Sequence, residues 1–261
     1  MLFPAGKRPT RAALNEFAQA QQAVSLTHDP AGEINLQLVD PSQSHPQVFR
    51  EPSDVSATRD PVWVELLREG LTFDLMGLAP GSSYDLPACD HLFDLETSPT
   101  AFRTEALFLT PGPHLTGGQR SLPVMQGLLE IARDLVHHFE ELEAVIWPPS
   151  GSAIGRVYFE SVAAAWLEGG AFPAPGLIAF KPAIDGALET EGLDYWIDQE
   201  LRIEPPLSND RLAATRLAVR LVNRLVILGN LRDSERMAGP DGRTLVLRPS
   251  ENRKFVRVWQ E

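Results

Sequence analysis

Cysteine is almost missing from this 261-residue chain: Cys89 stands alone. One thiol cannot close a disulfide within the chain, so stability has to come from a packed core, and the usage fits a reducing, cytoplasmic setting. Long apolar runs are missing too. Leu225-Val-Ile-Leu228 is the longest run of branched aliphatic residues, far short of the roughly 20 apolar residues a membrane-spanning helix needs. The opening residues carry Lys7, Arg8 and Arg11 with no apolar stretch behind them, which does not read as a secretory signal. Cations are scarce: 23 Lys and Arg face 35 Asp and Glu, a net charge of -12. Such a balance argues against a nucleic-acid backbone as partner, since phosphates demand clustered cations. A phosphate loop of the GxxxxGK[ST] kind, a paired CxxC and two histidines four apart on a helix are all lacking, so no cofactor or metal is expected.

What is present is a globular composition with 43% hydrophobic residues, enough for a sizeable core, and the expectation is one domain over 1–261. Charge is unevenly spread. Residues 1–207 hold 12 basic and 29 acidic side chains, whereas residues 208–261 hold 11 basic and 6 acidic. The plainest account is that the basic end packs on the acidic remainder and neutralises it.

Periodicity sets out the elements. Residues 9–22 suit a short helix with Thr10 as N-cap. Residues 23–27 and 33–39 alternate around the turn residues Asp29 to Gly32 and predict a hairpin. Segments 40–61 and 79–103, rich in Pro, Ser and Asp, read as irregular. Residues 71–78 alternate again. Strand 106–110, a helix over 121–142 and strand 144–147 read as a strand–helix–strand unit, hence a parallel pair. A helix over 154–167 and strand 177–180 follow, then Tyr195 and Trp196 on a short helix or turn and an edge-like strand 200–204 with alternating charge. Ser208 starts a long helix to Leu228, and a hairpin over 244–259 closes the chain. The order of elements predicts an α+β fold, a mixed β-sheet with helices mainly on one face; a duplicated ferredoxin-like sandwich is one way to build it.

In Ala144-Val-Ile-Trp-Pro-Pro-Ser-Gly-Ser-Ala-Ile-Gly155, the serines sit between a predicted strand and a predicted helix. A nucleophile elbow needs Gly-x-Ser-x-Gly, and the glycine spacing here does not provide it. Capping of the following helix by Ser150 or Ser152 is the favoured reading. His137, His138 and the carboxylates after them read as a solvated helix end, because adjacent histidines point about 100° apart. Cys89, Asp90 and His91 lack a second recognised ligand spacing.

If the parallel pair forms, His114, Trp147 and Lys181 gather at one sheet edge with Ser150 and Ser152, an aromatic wall with an imidazole and a cation suited to a small anionic ligand. Arg216, Arg220 and Arg224 follow at four-residue steps along the long helix. They are suited to a carboxylate, a phosphate or an acidic protein partner, or simply to water.

Three stretches carry a family resemblance: Ala144 to Trp147, Thr190-Glu-Gly-Leu-Asp-Tyr-Trp196 with Glu200-Leu-Arg-Ile203, and Asp241-Gly-Arg-Thr244. With them the region from about 70 to 261 resembles a bacterial family catalogued as domain of unknown function 4261. The resemblance implies a bacterial α+β protein and assigns no activity. The expectation is a non-catalytic module for a small ligand or a protein; the alternative is a hydrolase with His114 as base and Lys181 or backbone amides stabilising charge.

Overall fold

The computed structural model describes residues 1–28, 62–99 and 103–261. Over these the chain is α+β, with six α-helices and several antiparallel and mixed sheets. It divides into two compact units: Met1–Leu86, Arg103–Gln119 and Pro123–Leu142 form one, and Pro87–Phe102, Arg120–Leu122 and Glu143–Glu261 the other. The strand expected at 33–39 and the irregular segment 40–61 lie outside the described residues. Of the segment 79–103, His91–Phe93 is a strand.

In the first unit, strands Ser25–His28, Val62–Arg68, Leu71–Leu78 and Phe108–Pro111 make an antiparallel sheet in that order. Side chains alternate across a strand, so Val64, Leu66, Phe73 and Leu75 are fully buried on one face while Glu65 and Asp74 pair on the other. Helix Leu122–His138 buries Met125, Leu128, Leu129, Ala132 and Leu135, the stripe its periodicity predicts. Gly127 permits the close fit: a Cβ there would stand 3.0 Å from the Phe73 ring. Thr10 caps helix Arg11–Ala20, its hydroxyl accepting from the Ala13 amide at 3.3 Å.

The second unit is built on a six-stranded sheet. Strand Glu200–Ile203 lies inside it, antiparallel to Leu188–Glu191 and parallel to Phe255–Gln260. The edge position expected from its alternating charge is therefore corrected. Leu201 and Ile203 are fully buried, and Arg202 reaches Asp185, Glu189 and Glu204, so the charges form an ion-pair ladder inside the sheet. Strands Thr244–Pro249 and Phe255–Gln260 form the hairpin expected at the end of the chain.

The parallel pair expected from strands 106–110 and 144–147 does not form. Phe108–Pro111 pairs antiparallel with Leu71–Leu78, and Ala144–Trp147 pairs antiparallel with Ser152–Gly155. The cause is local: a tight turn over Pro148–Ser150, closed by the Gly151 amide on the Pro148 carbonyl at 3.0 Å, sends the chain straight back. Gly151 takes φ 58°, the left-handed region where glycine has no Cβ to clash. The predicted strand 177–180 is shifted to Ala179–Pro182 and pairs antiparallel with Leu188–Glu191. A duplicated ferredoxin-like sandwich is not confirmed; the four-stranded sheet is purely antiparallel and the six-stranded one contains a parallel pair.

The long helix spans Arg211–Leu228 and packs on strands Leu188–Glu191 and Glu200–Ile203. Leu217, Leu221 and Leu225 are buried, while Leu228 is exposed where the helix ends at Gly229. Asp210, two residues after Ser208, is the cap: its carboxylate accepts from the Ala213 amide at 3.1 Å. Ser208 is buried and donates to the Gly186 carbonyl at 2.7 Å. Replacing Asp210 by Ala is expected to cost about 1 kcal/mol in a denaturant titration, and Asp210→Asn close to nothing, because asparagine caps as well.

Candidate functional site

The turn after Trp147 decides the fate of both serines. Ser150 and Ser152 are fully buried, and the Ser150 hydroxyl donates to the Ser152 hydroxyl at 2.8 Å. Helix Arg156–Leu167 begins beyond a strand that contains Ser152, and its N-cap is Gly155 with no side-chain bond. The capping reading is thus overturned, because residues 152–155 return as a strand where a helix start was expected. No imidazole partners either serine among the described residues.

Around this hairpin the second unit assembles a polar chain and an aromatic cluster. Ser152 lies beside Trp147 in one strand register and beside His91 in the other. His91 Nε2 is 3.5 Å from Glu191, and the same carboxylate accepts from Lys181 Nζ at 2.7 Å. The Lys181 bond holds Glu191 below the usual carboxylate range, and the Glu191 bond raises Lys181. The Trp147 ring stacks on Trp196 at 5.8 Å and meets Tyr195 edge-on at 5.4 Å. Of the five residues expected to share a ligand site, Trp147, Ser150, Ser152 and Lys181 fall in this unit, and Lys181 is already neutralised by Glu191. His114 belongs to the first unit, exposed on the turn Pro113–Leu115 near Asp74. The parallel strand pair from which a shared edge was expected does not form.

The short helix Asp194–Ile197, which carries Tyr195 and Trp196, and the loop leading into it hang from one carboxylate. Glu200 accepts from the amides of Gly192 at 2.7 Å, Leu193 at 3.2 Å and Asp194 at 3.3 Å, and from the Thr190 hydroxyl at 2.5 Å. Burial pushes its carboxyl up to about 7 against the pull of these bonds. Gly192 takes φ 94°, and a Cβ there would stand 2.8 Å from Ser150 Cβ, so only glycine lets the loop close on the hairpin.

A concavity of about 280 Å³ opens elsewhere in this unit, lined by Asp198, Gln199, Asn230, Leu231, Arg232 and Arg253. Sequence reasoning missed it. Gln199 is buried and clamps Leu231 at two points, donating to its carbonyl at 3.1 Å and accepting from its amide at 2.7 Å. Arg120 donates to Asp198 at 2.9 Å and to the Tyr195 carbonyl at 3.3 Å, which neutralises the one acid on the rim. Arg232 and Arg253 are exposed, and their guanidinium groups have no ion pair or hydrogen bond among the described residues.

Two of the four non-glycine residues with positive φ among the described residues line this concavity: Asp198 at 59° and Arg253 at 57°. Left-handed backbone costs an L-residue about 1–2 kcal/mol. At Arg253 the turn imposes it. The Arg253 amide donates to the Ser250 carbonyl at 2.8 Å, and the Ser250 hydroxyl and Asn252 carboxamide accept from the Phe255 and Lys254 amides.

The arginines of the long helix take different surroundings. Arg216 and Arg220 are exposed without an ion pair among the described residues, and Arg224 meets Glu235 at 3.0 Å. Among the described residues, a single ion pair joins the basic end to the acidic remainder. Arg224–Glu235, Arg236–Glu261 and Arg243–Asp241 all lie within residues 208–261, and among the described residues only Arg257 reaches back, to Glu204.

Two measurements check this geometry. Ser150→Ala is expected to cost about 1–3 kcal/mol by leaving the buried Ser152 hydroxyl without its partner, Ser152→Ala less because Ser150 still reaches the Gly176 carbonyl at 3.4 Å, and the double change less than the sum of the two. For Glu200 the folded pKa, about 7, lies above its ordinary value of 4.5. Its contribution to stability is therefore fully present below about pH 4.5 and is lost as pH rises through about 7. Glu200→Gln is expected to remove that slope from a stability-versus-pH series. No family model, curated protein or solved structure matches the chain.

Proposed function

We propose that the chain is a non-catalytic binding protein and that its ligand is a small anion held between Arg232 and Arg253. The observation that carries this reading is that Arg232 and Arg253 line one concavity and that neither guanidinium has an ion pair or hydrogen bond among the described residues. Arginine presents a planar fork of donors that matches a carboxylate or a phosphate. A volume of about 280 Å³ is at the lower end of ligand pockets, so the anion is of metabolite size.

Burial of Ser150 and Ser152 and the hydrogen bond between them favour the binding reading over the hydrolase alternative. A bacterial source, a cytoplasmic setting and kinship with domain of unknown function 4261 belong to the proposal as well; they rest on the sequence alone.

Replacing Arg253 by Gly separates structure from function. Glycine accepts φ 57° without strain, so the variant is expected to keep or gain stability, by up to about 1 kcal/mol. It also removes one charged donor. Calorimetric titration with inorganic phosphate and with citrate is expected to give binding to the wild type and at least about tenfold weaker binding to Arg253→Gly, a charged hydrogen bond being worth about 1.5–3 kcal/mol. Equal affinity in the two proteins contradicts the proposal, as does a wild type that binds neither anion.

A further inference from the structure

We infer that the exposed face of helix Arg211–Leu228 docks a second copy of this chain, its arginines meeting the carboxylates around the other copy's strand His91–Phe93. Three independent observations support this contact, none of them part of the anion site.

The first is the composition of the helix face. At 100° per residue, Leu212, Arg216, Arg220 and Ile227 fall within an arc of about 80°. Leu212 is 61% exposed and Ile227 76%, and they stand about 22 Å apart along the axis, with the arginines between them. Two large apolar side chains set in water on either side of unpaired guanidinium groups make the pattern of an interface, in which apolar anchors and arginine are both enriched.

The second is charge bookkeeping within the chain. The surplus positive charge of residues 208–261 is not spent on the acidic remainder, because among the described residues only Arg257 pairs outside the segment. Among the described residues the two surpluses are thus not cancelled by ion pairs within one molecule. The third is a complementary surface in the same unit. Strand His91–Phe93 pairs on one side only among the described residues, with Ser152–Gly155. Asp90, Asp94 and Glu96 around it are exposed without an ion pair among the described residues, and Leu92 between them is 39% exposed. Acid, apolar, acid on one face answers apolar, base, apolar on the other. The net charge of -12 opposes association only weakly at physiological salt, where the Debye length is about 8 Å and the groups in direct contact decide.

Sedimentation equilibrium tests the contact in four samples: the wild type, Arg216→Glu with Arg220→Glu, Asp90→Lys with Asp94→Lys, and an equimolar mixture of the two variants. All changes are on exposed side chains, and unchanged melting temperatures verify folding; the milder pair Arg216→Gln with Arg220→Gln stands in if the reversal unfolds the chain. At 0.15 M salt the wild type is expected to self-associate with concentration and to lose this in 1 M salt. Each variant alone is expected to stay monomeric, and the mixture to regain a dimer, because each variant keeps one intact face. A monomeric wild type overturns the proposal. So does an aspartate variant that still associates while the arginine variant does not, which assigns another occupant, or binding of phosphatidylserine vesicles by a wild type that does not self-associate. Arg253→Gly, which tests the anion site, is expected to associate as the wild type does.

Discussion

The second unit depends on strand Glu200–Ile203 and the two polar residues at its start. Glu200 gathers three loop amides and a hydroxyl into one carboxylate. Gln199, just before it, ties the chain after the long helix to the sheet through two backbone bonds of Leu231. Arg202, further along, holds Asp185, Glu189 and Glu204. Buried polar groups of this kind specify one arrangement, since each missing partner would leave a desolvated group unpaired. The segment with Tyr195 and Trp196 is held by Glu200, and Leu231 on the arginine-lined concavity by Gln199.

That arrangement explains why the concavity is basic in an acidic protein. The acid on its rim, Asp198, is neutralised by Arg120, so the charge presented is that of Arg232 and Arg253. Their positions come from chain turns and not from a regular element: Arg232 follows the end of the long helix, and Arg253 sits in the hairpin turn between the last two strands. Burial elsewhere is conventional, with leucine, valine and phenylalanine on the inner faces of both units.

Much of the fold was legible because its signals are local. The helix stripe from Met125 to Leu135, the Thr10 cap, the alternation over 71–78 and the closing hairpin all follow from periods of 3.6 and 2. Pairing was less legible. A strand, a helix and a strand suggested parallel neighbours, but each strand found an antiparallel partner, one of them through a turn that a single glycine made possible. Ser150 and Ser152 were read as caps because Ile154 was taken to open a helix; only the tertiary pairing shows that residues 152–155 are strand. The site was the least legible part. Asp198, Asn230, Arg232 and Arg253 are spread over more than fifty positions with no spacing in common, and the only hint of them was the basic surplus after residue 207.

The central claim is that two of the many exposed arginines form an anion site while the others do not. Observing the side-chain Nε–Hε resonances of arginine by NMR during a phosphate titration tests it directly. The account predicts saturable shifts at Arg232 and Arg253 with little change at Arg216 and Arg220. Shifts of equal size at every exposed arginine, or none at Arg232 and Arg253, would contradict it.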